Sequence, residues 1–219
     1  MSTAFPPPPT GLPRPARSEI LPAGTTLWRV HSRRFGCTQM NPTAQPTVDA
    51  GGRFDSIDGA FAYLYAADSV DGAIAETLCR DLPSALRGPR IVPRAAVTGR
   101  ILSPITVTAD LSVAALHGAH LTVIGQSLWL TKCDAAEYLL TRQWAAAIFA
   151  ADPSLEGLAY RPRHNEDHRA WMLTTAPDVT THPGLHVADG AIALDAGKGL
   201  ELVQTVLEEH NATLSHLPR

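Results

Sequence analysis

Phe61-Ala62-Tyr63-Leu64-Tyr65, then Ser69, then Val70 through Arg80, is the stretch that decides the fold class. The first five residues alternate aromatic and aliphatic side chains and read as a β-strand. Ser69 suits a helix N-cap, because its hydroxyl can accept a backbone N–H of the first turn. Ala73, Ile74, Thr77 and Leu78 recur at helical spacing, which predicts a short helix from Val70 to about Arg80 with those residues facing the core.

Working outward, Thr25-Thr26-Leu27-Trp28-Arg29-Val30 reads as an earlier strand, and a long irregular stretch from Ser32 to about Asp58 separates the two. Unstructured connections of that length are uncommon in compact domains and are often functional. Downstream, Ile91-Val92, Ala96-Val97 and Ile105 to Val107 predict short strands broken by Pro93, Gly99 and Pro104. A helix is expected from Asp134 to about Ala150, with Leu139, Leu140, Trp144, Ala147 and Ile148 as its apolar stripe and Asp134 at the positive end of its dipole. Gly157 to Tyr160 and Trp171 to Thr174 read as strands around a charged turn, and Ala191 to Leu194 as a strand before a helix from Gly199 to about Asn211. Strands and helices mix without a βαβ rhythm, which argues for α+β. Residues 1–22 hold seven of the 18 prolines and predict an extended proline-rich arm that adds nothing to a core, so the domain proper is expected over 23–219.

The 219 residues suit one globular domain that needs neither disulfide nor metal to fold. Eighteen Lys and Arg against 21 Asp and Glu give a net charge of −3, which is not the balance of a direct nucleic-acid binder. Cys37, Cys79 and Cys133 are odd in number and too widely spaced for a zinc knuckle, and a reduced, cytoplasmic setting is the simplest expectation. The longest apolar runs, Phe61–Ala67 and Ala145–Ala151, fall far short of the roughly 20 residues of a membrane span. His164 and His168 lie four apart but without the metalloprotease pattern, and no metal site is expected. Gly125-Gln126-Ser127 lacks the second glycine of a nucleophile elbow.

Four places in the first half can carry chemistry. Arg29 stands inside an apolar strand, where it needs an anionic partner, either a carboxylate of the chain or a ligand. Arg53 follows Gly51-Gly52, and glycines let a backbone approach a ligand closely, so this arginine suits a phosphate clamp or an ordinary loop position. Tyr65 ends a strand, where its face can stack on a flat ring or fill the core. Glu76 falls on the apolar side of a short helix, between Ala73, Ile74 and Thr77, Leu78, where a carboxylate has no packing reason to be.

Taken in order, Arg29, then Gly52-Arg53-Phe54, then Tyr65 with Ala66-Ala67, then Glu76 eleven positions later, this pattern resembles the RES-domain family, the toxins of bacterial toxin–antitoxin pairs. A weaker likeness continues to about residue 195 through Gly157-Leu158-Ala159-Tyr160-Arg161-Pro162-Arg163-His164, where Pro162 stands in place of the serine usual in the family. The resemblance implies an ADP-ribosyltransferase-like fold with a mixed or antiparallel β core, and cleavage of the nicotinamide–ribose bond of NAD⁺. It implies catalytic roles for Glu76, Arg53 and Tyr65, and NAD⁺ contacts from Arg29, Gly52, Arg53, Tyr65 and Arg163. NAD⁺ is then a substrate and not a cofactor, with inorganic phosphate, water or a protein side chain as acceptor. A protein-directed ADP-ribosyltransferase and an impaired NAD-binding module are the alternatives. An Xre-type helix-turn-helix antitoxin is the implied partner, carrying any DNA contact, and self-association is a further expectation.

Overall fold

The computed structural model describes residues 5–83 and 90–215. The ends of the expected arm and of the expected domain, residues 1–4 and 216–219, therefore lie outside the described residues. The chain is a single α+β domain built on a nine-stranded, mostly antiparallel sheet. In chain order the strands are β1 (Ser18–Leu21), β2 (Thr26–Ser32), β3 (Ala62–Ala67), β4 (Arg90–Val92), β5 (Arg100–Val107), β6 (Leu111–Leu116), β7 (Gly157–Tyr160), β8 (Ala170–Thr175), β9 (Leu185–Val187), β10 (Ile192–Ala193) and β11 (Ala212–Leu214). The helices are α1 (Val70–Ile74), α2 (His120–Val123), α3 (Trp129–Lys132), α4 (Tyr138–Ala151) and α5 (Gly197–Glu209). The large sheet runs β1-β6-β7-β8-β3-β2-β5-β10, with β9 also on β5, while β4 and β11 form a separate parallel pair. Only β6 and β7 are parallel within the large sheet.

The two-residue period of the strands divides the core into two layers. Tyr63, Ala67, Leu158, Tyr160, Ala170 and Met172 face α1, α4 and α5, whereas Ala62, Leu64, Ala66, Ala159, Trp171 and Leu173 face Cys37, Met40 and Leu185 on the other side. Pro104, expected to break a strand, lies inside β5. Its missing N–H costs nothing, because β10 pairs with residues 101–102 and β9 with 105–107, leaving a gap at 104 on that edge. Ala96, expected to begin a strand with Val97, lies instead in a 3₁₀ turn over Arg94–Ala96.

Two expectations about helices change. The helix entered at Val70 is α-helical only to Ile74 and continues as a π-helical turn over Ala75–Cys79. The buried face of α4 is Tyr138, Thr141, Arg142, Trp144, Ala145 and Ile148, rotated from the predicted stripe because Arg142 takes an inward position. The proline-rich segment also packs: Ser18–Leu21 pair with β6, Ala16 is buried, and the Trp144 indole N–H donates to the Pro6 carbonyl at 3.1 Å. An arm that contributes nothing to the core is thus replaced by one whose apolar residues, Leu12 among them, cover the sheet edge and α4.

Candidate active site

Strands β2 and β3 are neighbours in the sheet but share a single register pair, Trp28 opposite Ala67. On its other side β2 is paired with β5 along its whole length, Arg29 opposite Ser103 and Ser32 opposite Arg100. Beyond Trp28, the open edge of β3 is bridged instead by Asn41, which exchanges both backbone hydrogen bonds with Tyr63 at 2.8 and 3.0 Å. The sheet therefore splits, and a cleft occupies the split. Its inner hollow, about 240 Å³, is lined by Arg29, Asn41, Tyr63, Tyr65, Glu76 and Arg80 among others. An adjoining hollow of about 440 Å³ shares Arg29, Val30, Asn41 and Arg100 and adds His31, Phe35, Met40 and Pro42. Together they fall in the size range of small-molecule sites.

Glu76 sits in the π-helical turn, a conformation that re-aims side chains and recurs at functional sites. It is 9% exposed. Its Oε1 accepts the Tyr160 hydroxyl at 2.7 Å, and its Oε2 is buried without a partner among the described residues. Burial, and then the Glu76 charge, push the Tyr160 phenol well above its ordinary value, so it stays a donor. Arg29 donates through Nη1 to the carbonyls of Cys37 and Gln39 at 2.7 and 2.8 Å. No carboxylate pairs with it among the described residues, and burial lowers its pKa to about 10. Of the two partners the sequence left open for Arg29, an internal carboxylate is therefore absent from the described structure. Arg100 also has neither ion pair nor side-chain hydrogen bond there, so the middle of the cleft carries two uncompensated guanidiniums.

Tyr65 is held at its hydroxyl, donating to Asp55 Oδ1 at 2.7 Å and accepting the Phe54 N–H at 3.0 Å. What it can offer the inner hollow is its ring. Asp55 Oδ2 accepts the Gly52 N–H at 2.6 Å, and a Cβ on Gly52 would lie 2.7 Å from Asp55 Oδ1 and 2.8 Å from the Tyr65 oxygen. Gly52 is thus needed for the close packing of its own loop, and its amide is already bonded. Arg53 lies beneath the cleft and not on its wall: it is 1% exposed, stacks over the Tyr138 ring at 5.2 Å, and leaves Nε and Nη1 buried without partners among the described residues. Burial pulls its pKa down, but Tyr138 and Glu76 outweigh that pull and hold it above the ordinary value. Arg163 is outside the two hollows, donating to the Arg80 carbonyl and paired with Asp134. Asp134, expected to serve the helix N-terminus, is committed to that pair. Pro162 is buried, and its carbonyl accepts Lys132 Nζ at 2.6 Å.

Several positions that shape the candidate site were not singled out from sequence. Arg142, fully buried in α4, donates to the carbonyls of Gly52, Gln45, Thr47 and Ala50 and so fixes the loop that carries Arg53 and Asp55. Its signal is the one used for Arg29, an arginine among apolar neighbours. Arg80 and Arg100 carry no such signal, since both flank elements where a solvated arginine is ordinary.

The chain that builds this split sheet, with an acidic group at one end of the opening and arginines along it, belongs to the RES-domain family, whose model matches residues 26–195. Among solved structures, a chain in the crystal structure of the M. tuberculosis MbcT–MbcA toxin–antitoxin complex is similar. It has a TM-score of 0.50 and 19% sequence identity, covering 81% of this chain and 84% of that one. No curated protein sequence matches significantly. None of the helices among the described residues is long and apolar enough to cross a membrane.

Proposed function

We propose that this chain is an NAD⁺-degrading enzyme that breaks the nicotinamide–ribose bond, acting as the toxin of a toxin–antitoxin pair. The observation that carries the reading is the common cleft of Glu76, Arg29 and Arg100, in which the carboxylate has one oxygen pinned by Tyr160 and the other without a partner among the described residues. NAD⁺ carries two phosphates, for which guanidiniums without internal anions are suited partners. With the pyrophosphate at Arg29 and Arg100, the nicotinamide ribose reaches Glu76 and the adenosine falls in the hollow of Phe35, Met40 and Pro42.

Cleavage moves the positive charge of the pyridinium onto the ribose as the C–N bond breaks and neutral nicotinamide leaves. The transition state is oxocarbenium-like, as in glycoside hydrolysis. A carboxylate fixed beside that sugar, accepting from its hydroxyls through Oε2, attracts the developing charge more strongly than the ground state. Tyr65 presents a ring face to the cationic nicotinamide. Arg53, coupled electrostatically to Glu76 from below, balances the charge of the empty site. The acceptor at the anomeric carbon is inorganic phosphate or water, and the family match and the likeness to a chain from a toxin–antitoxin complex support an antitoxin partner.

The test is NAD⁺ consumption by purified protein with and without phosphate, for wild type and Glu76→Gln. Phosphate-dependent loss of NAD⁺ that falls at least 100-fold in the variant supports phosphorolysis, and phosphate-independent loss supports hydrolysis. Labelled ADP-ribose on a protein acceptor would favour the transferase instead. Pro162 in the serine's place motivates a second reading, a binding module: calorimetric NAD⁺ binding without turnover would establish it.

A further inference from the structure

The cleft does not end at the hollow of Phe35 and Met40. A third depression of about 690 Å³ shares Ser32, Phe35 and Arg100 with it and is further lined by Arg33, Arg34, Thr98, Gly99 and Asp195. Three guanidiniums face one carboxylate there. Asp195 is already committed, binding Arg33 Nη2 at 2.5 Å and the Gly99 N–H at 2.8 Å. Arg34 and Arg100 are left with no side-chain partner among the described residues.

These arginines are placed by a tight turn and not by a loose loop. The Phe35 N–H donates to the Ser32 carbonyl at 3.1 Å, the Arg33 N–H to the Gly99 carbonyl at 2.8 Å, and His31 Nδ1 lies 3.0 Å from the Phe35 carbonyl. The turn hooks residues 32–35 over the start of β5. From Arg29 to Ser32 is three residues of extended strand, roughly 10 Å, which is the span of one nucleoside beyond a pyrophosphate held at Arg29.

We propose that this depression is a phosphomonoester subsite at the adenosine end of the cleft, with Arg34 as its discriminating residue, so that the favoured substrate is the 2′-phosphorylated dinucleotide, NADP⁺. The inference rests on the NAD⁺ reading above. A ribose 2′-hydroxyl is neutral, whereas a phosphomonoester carries about −1.5 to −2 charges at pH 7 and three acceptor oxygens. An arginine near the adenosine ribose is the usual means by which dinucleotide sites accept that group. Arg100 reaches both hollows and links the pyrophosphate region to the subsite.

The test compares kcat/KM for NAD⁺ and NADP⁺, each with and without inorganic phosphate, in wild type and Arg34→Ala; binding of both dinucleotides to Glu76→Gln is measured by calorimetry. Arg34 is exposed and without side-chain bonds among the described residues, so its replacement is expected to leave the fold intact. The expected result is at least a tenfold preference for NADP⁺ in both rate and affinity, which Arg34→Ala reduces about tenfold. Equal values for the two dinucleotides, or an equal loss for both in Arg34→Ala, overturn the proposal. An Arg34→Ala effect confined to the dependence on free phosphate also overturns it, since the subsite would then hold the acceptor. NAD⁺ binding without any NADP⁺ advantage sinks the subsite alone, whereas failure to bind either dinucleotide sinks the NAD⁺ reading with it.

Discussion

Trp28 and Ala67 form the single register pair between β2 and β3, and the sheet opens immediately beyond them. Side chains that the strand period assigns to opposite faces can then meet. Arg29 shares the face of Leu27 and bonds to carbonyls on that side, while Glu76 and Tyr160 belong to the helical side, yet Arg29 and Glu76 line one hollow. A fully paired ladder would have placed backbone between them.

Removing the Tyr160 hydroxyl tests how Glu76 is aimed. Tyr160→Phe keeps the ring against Phe54 and deletes the 2.7 Å bond to Oε1, leaving both carboxylate oxygens without a donor among the described residues. NAD⁺ turnover should fall about tenfold in kcat with little change in KM. Urea unfolding should show a loss of roughly 1–3 kcal/mol, the usual result of orphaning a buried acceptor. An unchanged kcat would mean that Tyr160 is only core filler.

Arg142→Gln removes donors from four loop carbonyls at once. Hydrogen bonds from a charged donor contribute about 1.5–3 kcal/mol each, and they are not independent. A destabilisation of several kcal/mol is expected in chemical denaturation, with faster hydrogen exchange at residues 45–56 than at β8. Exchange raised uniformly over the protein would argue against a local anchoring role.

Gly52→Ala forces a methyl group against the Asp55 carboxylate and the Tyr65 hydroxyl. The bond between those two must give way, so a loss of about 1–3 kcal/mol is expected from overpacking. NAD⁺ affinity should weaken as Tyr65 shifts. Calorimetry on this variant and on Tyr65→Phe, which lacks the hydroxyl but not the ring, separates the two effects: Tyr65→Phe should retain more of the affinity.

The pH profile of stability has a defined sign on each side. Burial first, and then the nearby Arg163 charge, hold His164 at about 4 in the fold against an ordinary 6.5. As pH falls below 6.5 the unfolded chain takes up the proton before the native one does, so stability declines towards pH 4. His31 and His182, also lowered by burial, act in the same direction. At the alkaline end, burial raises Tyr63, Tyr65 and Tyr160, so stability falls above pH 10 as the unfolded phenols ionise first. Arg29, lowered to about 10, works weakly the other way over the same range. Urea midpoints at pH 7.5, 6 and 5 should decrease in that order, with a shallower decline for His164→Gln; a parallel decline in that variant would remove His164 from the account.

By itself the sequence determined the local elements and the chemistry they carry. β-Branched and aromatic alternation specified β2, β3, β7 and β8, and apolar periodicity specified the helices near residues 70, 138 and 197, because these depend on side chains within a turn or two. Arg29 and Glu76 stood out for a related reason: a charge among apolar neighbours conflicts with its surroundings unless something distant resolves the conflict. Tertiary structure alone decided how such conflicts are resolved. That β2 leaves β3 after one pair, that Arg53 lies under the cleft while Arg100 lines it, that Tyr160 bonds Glu76 across 84 positions, and that Arg142 turns inward to gather the loop carbonyls are all outcomes of long-range pairing and hydrogen bonding. Those energies belong to partners brought together only when the chain closes on itself, and no local pattern encodes them.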